Sequence, residues 1–138
     1  LQSDLSERIT ILTGLVKNIE QSASESDDSL RERLTERVGE LAPDLGADGA
    51  VVAQEVVRFV ARSDIHEELT RLHAHIKHWG GLVEDTAPCG RKLDFLLQEM
   101  NREVNTIGSK AMGSETSRLI VSAKSELEKL REQVQNVE

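Results

Sequence analysis

Residues 90–110 read GRKLDFLLQEMNREVNTIGSK, and the spacing within them decides the fold. Leu93, Leu96, Leu97, Met100, Val104 and Ile107 recur at steps of three and four. That is one apolar stripe along an α-helix. Outward in both directions the same period returns, and no stretch alternates as a half-buried strand would. Downstream, Leu119, Ile120, Ala123, Leu127, Leu130, Val134 and Val137 form a near-heptad run, suited to pairing with another helix or another subunit. Gly108 and Gly113 bracket the loop between the two. Upstream come Ile65, Leu69, Leu72, Ile76, Trp79 and Val83, and before them Val52, Val56, Phe59 and Val60. On one continuous helix these last two stripes would point to nearly opposite sides. A break or kink is therefore expected near Ser63, with Asp64 and Glu67 as a capping-box variant opening the second segment.

The first part of the chain is helical too. Leu5, Ile9, Leu12, Leu15, Val16 and Ile19 make one stripe, and Leu30, Leu34, Val38 and Leu41 make another. Between them QSASESDDS, residues 21–29, is polar and Ser-rich, which predicts a loop or the solvated tip of a helical hairpin. Pro43, Gly46 and Gly49 mark one loop, and Gly80, Gly81, Pro88 and Gly90 mark another turn. The expected fold is all-α, an antiparallel bundle or helical hairpins with long helices. Residues 1–50 are read as an N-terminal helical hairpin region and 51–138 as a C-terminal helical domain. There is no internal repeat.

Composition narrows the function. A chain of 138 residues suits one compact domain. Aromatics are 2%, namely Phe59, Trp79 and Phe95, which argues against a β-sandwich and against RNA modules that stack bases on a sheet of aromatics. The single cysteine, Cys89, excludes an intrachain disulfide framework and a Cys-rich zinc site. No apolar run approaches the roughly 20 residues of a membrane span, and no signal-peptide pattern opens the chain. A cytoplasmic setting without membrane partners is expected. The net charge of −8 is unevenly spread. Residues 1–57 hold 5 Lys and Arg against 12 Asp and Glu, whereas residues 58–110 hold 8 of each and all four histidines. Basic groups for phosphate are thus available in the middle of the chain.

Two helices there depart from the usual Glu/Lys-rich solvated face. Asp64, Glu68, Arg71 and His75 fall within about 60° of arc at helical spacing. Asp94, Gln98, Asn101 and Asn105 repeat that spacing, with Arg91 and Arg102 alongside. Asn is a poor mid-helix residue, so Asn101 and Asn105 suggest amides with defined partners. If both stripes face one groove, Asp64, Glu68, Asp94 and His75 would suit an oxygen-preferring divalent ion, Mg²⁺ or Mn²⁺. The arginines would suit phosphate. The combination fits metal-assisted phosphodiester cleavage. Plainer readings stand beside this one. Asp64 is equally a helix N-cap, and Glu68 with Arg71 an intrahelical ion pair. Glu99 and Glu103 lie toward the polar side and are more often solvated. No tight metal motif such as HExxH is present.

Residues 90–110, the C-terminal REQVQNVE (131–138) and RSDIHEELTRLHAHI (62–76) closely resemble the C-terminal domain of the YicC/YloC family of bacterial endoribonucleases. The resemblance covers most of residues 55–138, while 1–50 match only as a helical region. It implies divalent-metal-dependent endonucleolytic cleavage of RNA by a cytoplasmic homo-oligomer, a hexamer that encloses its RNA. It also implies an N-terminal domain of similar size, absent here, and a native C-terminus at Glu138. One departure is Ala111, Met112, Gly113 and Ser114, where the family is usually more polar.

Residues and resemblance together lead to a set of expectations. Asp64, Glu68, His75 and Asp94 form the catalytic and metal-holding group, with Glu99 and Glu103 as further carboxylate ligands. Arg71, Arg91, Arg102 and Lys110 hold RNA phosphates, while Gln98, Asn101 and Asn105 orient the substrate. Without a metal, His75 is the natural general base. RNA is the expected partner, not DNA. The alternative is a helical oligomerisation or RNA-binding module that positions a catalytic N-terminal domain. The isolated fragment is expected to be inactive or weak.

Overall fold

The computed structural model describes residues 2–45, 49–62, 64–84, 89–111 and 113–136. They form five helices: α1 (Gln2–Leu45), α2 (Gly49–Arg62), α3 (His66–Glu84), α4 (Gly90–Lys110) and α5 (Ser114–Gln135). No strand occurs among the described residues. The fold is all-α.

Four of these helices close a bundle. The first half of α1 packs on α5 and α3, and α4 packs on α3 and α5, so each helix touches two neighbours. Cross-helix pairs fix the directions. Arg8 meets Glu126 and Ser22 meets Thr116 across α1 and α5. Arg71 meets Glu103 and Lys110 meets Glu68 across α3 and α4. Both pairings run antiparallel. The interior holds Leu12, Val16 and Ile19 of α1, Leu72 and Trp79 of α3, Met100, Val104 and Ile107 of α4, and Leu130 of α5. These are the stripes expected from the sequence. The near-heptad run of α5 is occupied within its own chain, against α1 and α4. Val137, its last member, lies outside the described residues.

Three connections differ in detail from the sequence reading. Residues 21–29 form no loop but the middle of α1, a helix of 44 residues. The reason is the small side chains. Ala23 is buried, the Ser22 hydroxyl lies 2.8 Å from that of Thr116, and a Cβ on Gly113 would come 2.9 Å from Ser26 Oγ. The serines are the face on which the α4–α5 turn rests. Gly80 and Gly81 also sit inside a helix, since α3 continues to Glu84. The loop read at Pro43, Gly46 and Gly49 shrinks: α1 extends to Leu45 and α2 starts at Gly49, and residues 46–48 lie outside the described set.

The break expected near Ser63 is present, α2 ending at Arg62 and α3 starting at His66. Ser63 itself lies outside the described residues. Asp64 supplies half of the anticipated box, its Oδ1 accepting the His66 backbone N–H at 2.9 Å. Glu67 does not reach back; it takes Arg71 Nη1 at 2.7 Å. Beyond the bundle, the second half of α1 and α2 form a two-helix arm, α2 packing mainly on α1. The division at residue 50 falls at the tip of this arm, while the first half of α1 shares one core with α3, α4 and α5.

Candidate nucleic-acid interface on α4

The two polar stripes do not meet in one cleft. Asp64 precedes α3 rather than riding on it. It lines a groove of about 530 Å³ between α1, α2 and α3, together with Glu20, Asp27, Asp28, Arg31 and His66. Asp94 lies on the other side of the bundle, in a groove of about 290 Å³ between α4 and α5, with Gln98, Asn101, Glu128 and Arg131. There Gln98 Nε2 donates to Asp94 Oδ2 at 3.1 Å.

Glu68, Arg71, Glu103 and Lys110 do converge, but on each other, along the seam between α3 and α4. Glu68 is 3% exposed and Glu103 5%. The Lys110 ammonium donates to Glu68 Oε1 at 2.6 Å. Arg71 Nε donates to Glu103 Oε1 at 2.9 Å, and its Nη1 to Glu67. The Lys110 hydrogen bond holds the Glu68 carboxyl below the usual carboxylate range, against burial, which pushes it up. The Glu103 and Glu67 hydrogen bonds likewise raise the Arg71 guanidinium above its ordinary value. Two of the basic residues expected to hold phosphate are thus paired with carboxylates of the chain itself, although both keep part of their side chains in water. One turn further along the seam, the same antiparallel register sets His75 on α3 level with Glu99 on α4; both are half-buried.

A divalent ion would need several oxygen or nitrogen donors converging on one point. Among the described residues no group of three or more His, Cys, Asp or Glu side chains is placed to hold one. Glu68 Oε2 is buried without a hydrogen-bond partner, yet an ammonium already occupies the other oxygen of that carboxylate. A cation at 2.6 Å competes with a metal for the same charge. Among the described residues, the side chains of this chain alone do not fit a divalent-ion centre.

The remaining candidates share a different surface. At 100° per residue Arg91, Gln98, Arg102 and Asn105 lie on one line of α4, on the side away from Leu93, Met100, Val104 and Ile107. All four are exposed. Arg91 and Arg102 have no carboxylate partner among the described residues, unlike Arg8, Arg71, Arg118 and Arg131 of the bundle; Arg31, Arg33 and Arg62 of the arm share this state. Asn101 sits at the edge of this line, toward α5. The sequence reading missed Phe95, which stands on the same line at 60% exposure. The signal was available: Phe95 is out of phase with the apolar stripe and four residues from Arg91.

The fold and this surface define a class: a helical-bundle domain presenting an unneutralised arginine and amide ridge. Comparison with known proteins gives the family. The profile of the family described as "Endoribonuclease YicC-like, C-terminal" matches residues 19–138. A protein of Clostridioides difficile (strain 630) named "Probable endoribonuclease YicC" is 42% identical over 139 residues, covering 100% of this chain and 47% of its own length. A protein of the same name from Haemophilus influenzae is 40% identical over 108 residues, 78% of this chain and 37% of its own. The chain belongs to the YicC-like endoribonuclease family. It spans about half the length, or less, of these curated relatives. Among the described residues, no helix is long and apolar enough to cross a membrane.

Proposed function

We propose that this chain is the helical part of a cytoplasmic endoribonuclease that cuts RNA internally during RNA turnover, and that it meets RNA through the outer ridge of α4. The observation that carries the reading is the pair Arg91 and Arg102, exposed on one line of a bundle helix with no carboxylate partner among the described residues. Exposed guanidinium groups with no carboxylate beside them are available to an anionic partner even on a chain of net charge −8, and the phosphate backbone is one. The family supplies the chemistry, endonucleolytic cleavage of RNA.

His75 is the group we propose to move a proton. Its ring is half-buried on the α3 edge, while Glu68 is committed to Lys110 and Glu103 to Arg71. An imidazole so placed accepts the proton of an attacking hydroxyl. The donors of the described residues do not close around Mg²⁺ or Mn²⁺. A metal-dependent reaction requires carboxylates from a second subunit of a homo-oligomer, hexameric in the family's pattern, or from the remaining part of the protein. EDTA applied to the complete assembly separates the two routes.

The second reading, an assembly and RNA-binding module for a catalytic N-terminal domain, is favoured by one observation. The Glu68–Lys110 and Arg71–Glu103 pairs tie α3 to α4, so that these side chains serve the packing of the two helices. His75→Ala in the full-length protein decides between them. Loss of cleavage by about 100-fold or more, with fold and assembly intact, places the proton transfer here. Unchanged cleavage assigns the chain to the module role.

A further inference from the structure

We infer that the outer ridge of α4 is a track for unpaired RNA, with the Phe95 ring as the platform on which one base stacks. The inference rests on the RNA reading above and adds the kind of RNA and the residue that selects it. Trp79, by contrast, is fully buried in the bundle, whereas Phe95 leaves 60% of its surface in water. Solvating that ring wastes apolar burial that the Leu93 and Leu96 positions beside it obtain. Arg91 precedes Phe95 by one helical turn, Gln98 follows by one, and Arg102 and Asn105 continue the line. From Arg91 to Asn105 the rise is about 21 Å, long enough for several nucleotides.

The arrangement is aromatic face between cations. A base offers a π-face to the ring, and the phosphates on either side reach the flanking guanidiniums. Asp94 and Glu99 border the line without interrupting it, and Asp94 is turned to the Gln98 amide. Bases in an A-form duplex stack on each other, and their faces are not available to a side chain. The platform therefore calls for an unpaired segment, in a single strand or a loop. A protein partner would ask for a continuous apolar patch, whereas the neighbours of this ring on the ridge are guanidinium and amide groups.

The test uses the full-length protein and a single-stranded oligoribonucleotide carrying 2-aminopurine, whose fluorescence falls when it stacks. Wild type is expected to quench the probe and to bind it more tightly than the matching duplex. F95L keeps the apolar bulk at an exposed position but removes the π-face. It is expected to abolish the extra quenching and weaken single-strand binding about 10-fold, with duplex binding unchanged. F95W restores both. R91A/R102A weakens both RNAs and flattens the salt dependence. If wild type and R91A/R102A behave so while F95L matches wild type in affinity and quenching, the stacking platform is overturned and the RNA reading survives. If F95L instead dissociates the assembly at unchanged RNA affinity per chain, the ring is a protein contact and the inference falls. Absence of RNA binding by wild type overturns both.

Discussion

Glu68 shows how burial ties an expected ligand into the packing of two helices. Its carboxylate is 3% exposed and bound by Lys110 from the neighbouring helix. Removing Lys110 leaves the buried carboxylate with only the more distant Arg71 guanidinium, 3.9 Å away, as compensation. Lys110→Met is expected to cost about 2 kcal/mol, less than a fully buried pair because the lysine is partly exposed. A urea melt measures it. The Glu68 carboxyl titrates below its ordinary value, so its contribution is fully present above the ordinary carboxylate value. That contribution disappears as the pH falls through the depressed value. Thermal melts from neutral to acid pH are expected to show this loss in wild type and to lack the Glu68 component in Glu68→Gln. The sequence contained these residues at helical spacing, but spacing along one helix says nothing of what the next helix places opposite.

At the scale of elements, the tight joint between α4 and α5 governs the packing of the bundle. Gly113 has φ of +105°, and a side chain there would also meet Ser26 of α1. Gly113→Ala is expected to lower stability by about 2 kcal/mol through backbone strain and contact. Ser26→Ala in the same chain should recover only part of that, since the backbone strain remains; differential calorimetry of the two variants and the wild type checks it. Gly108 is a second close approach, a Cβ there lying 3.2 Å from Ile120 Cγ2. The helices and the break before His66 were legible as apolar periods changing phase. Residues 21–29 were not, because Ser and Asp favour turns locally while the packed α5 face outweighs that preference.

Across the whole molecule, stability is divided between bundle and arm. The bundle holds nearly all of the buried side chains, whereas Leu41, Val51, Val57 and Phe59 of the arm are exposed apolar groups. With so few buried contacts, the arm amides over residues 30–45 and 49–62 are expected to exchange with deuterium well before those of α4 and α5 in the isolated chain. Equal protection across both would contradict this division. Trp79→Ala, at the centre of the bundle, is expected to cost about 4 kcal/mol, enough to unfold a domain of marginal stability.

The amino-acid sequence by itself determined that the chain is helical, where most helices lie, which side of each is buried, and to which family it belongs. Periodicity is a property of one helix at a time, and a motif is a property of neighbouring residues. Only the tertiary structure decided which polar edges face each other. It sent Asp64 to a groove beside α1 and Asp94 to one beside α5, and closed Glu68 and Glu103 onto Lys110 and Arg71. It left Arg91, Phe95 and Arg102 in water. The rotation of each helix about its axis is set by how four apolar stripes fill one core, and that sum is not written in any single stretch of the chain.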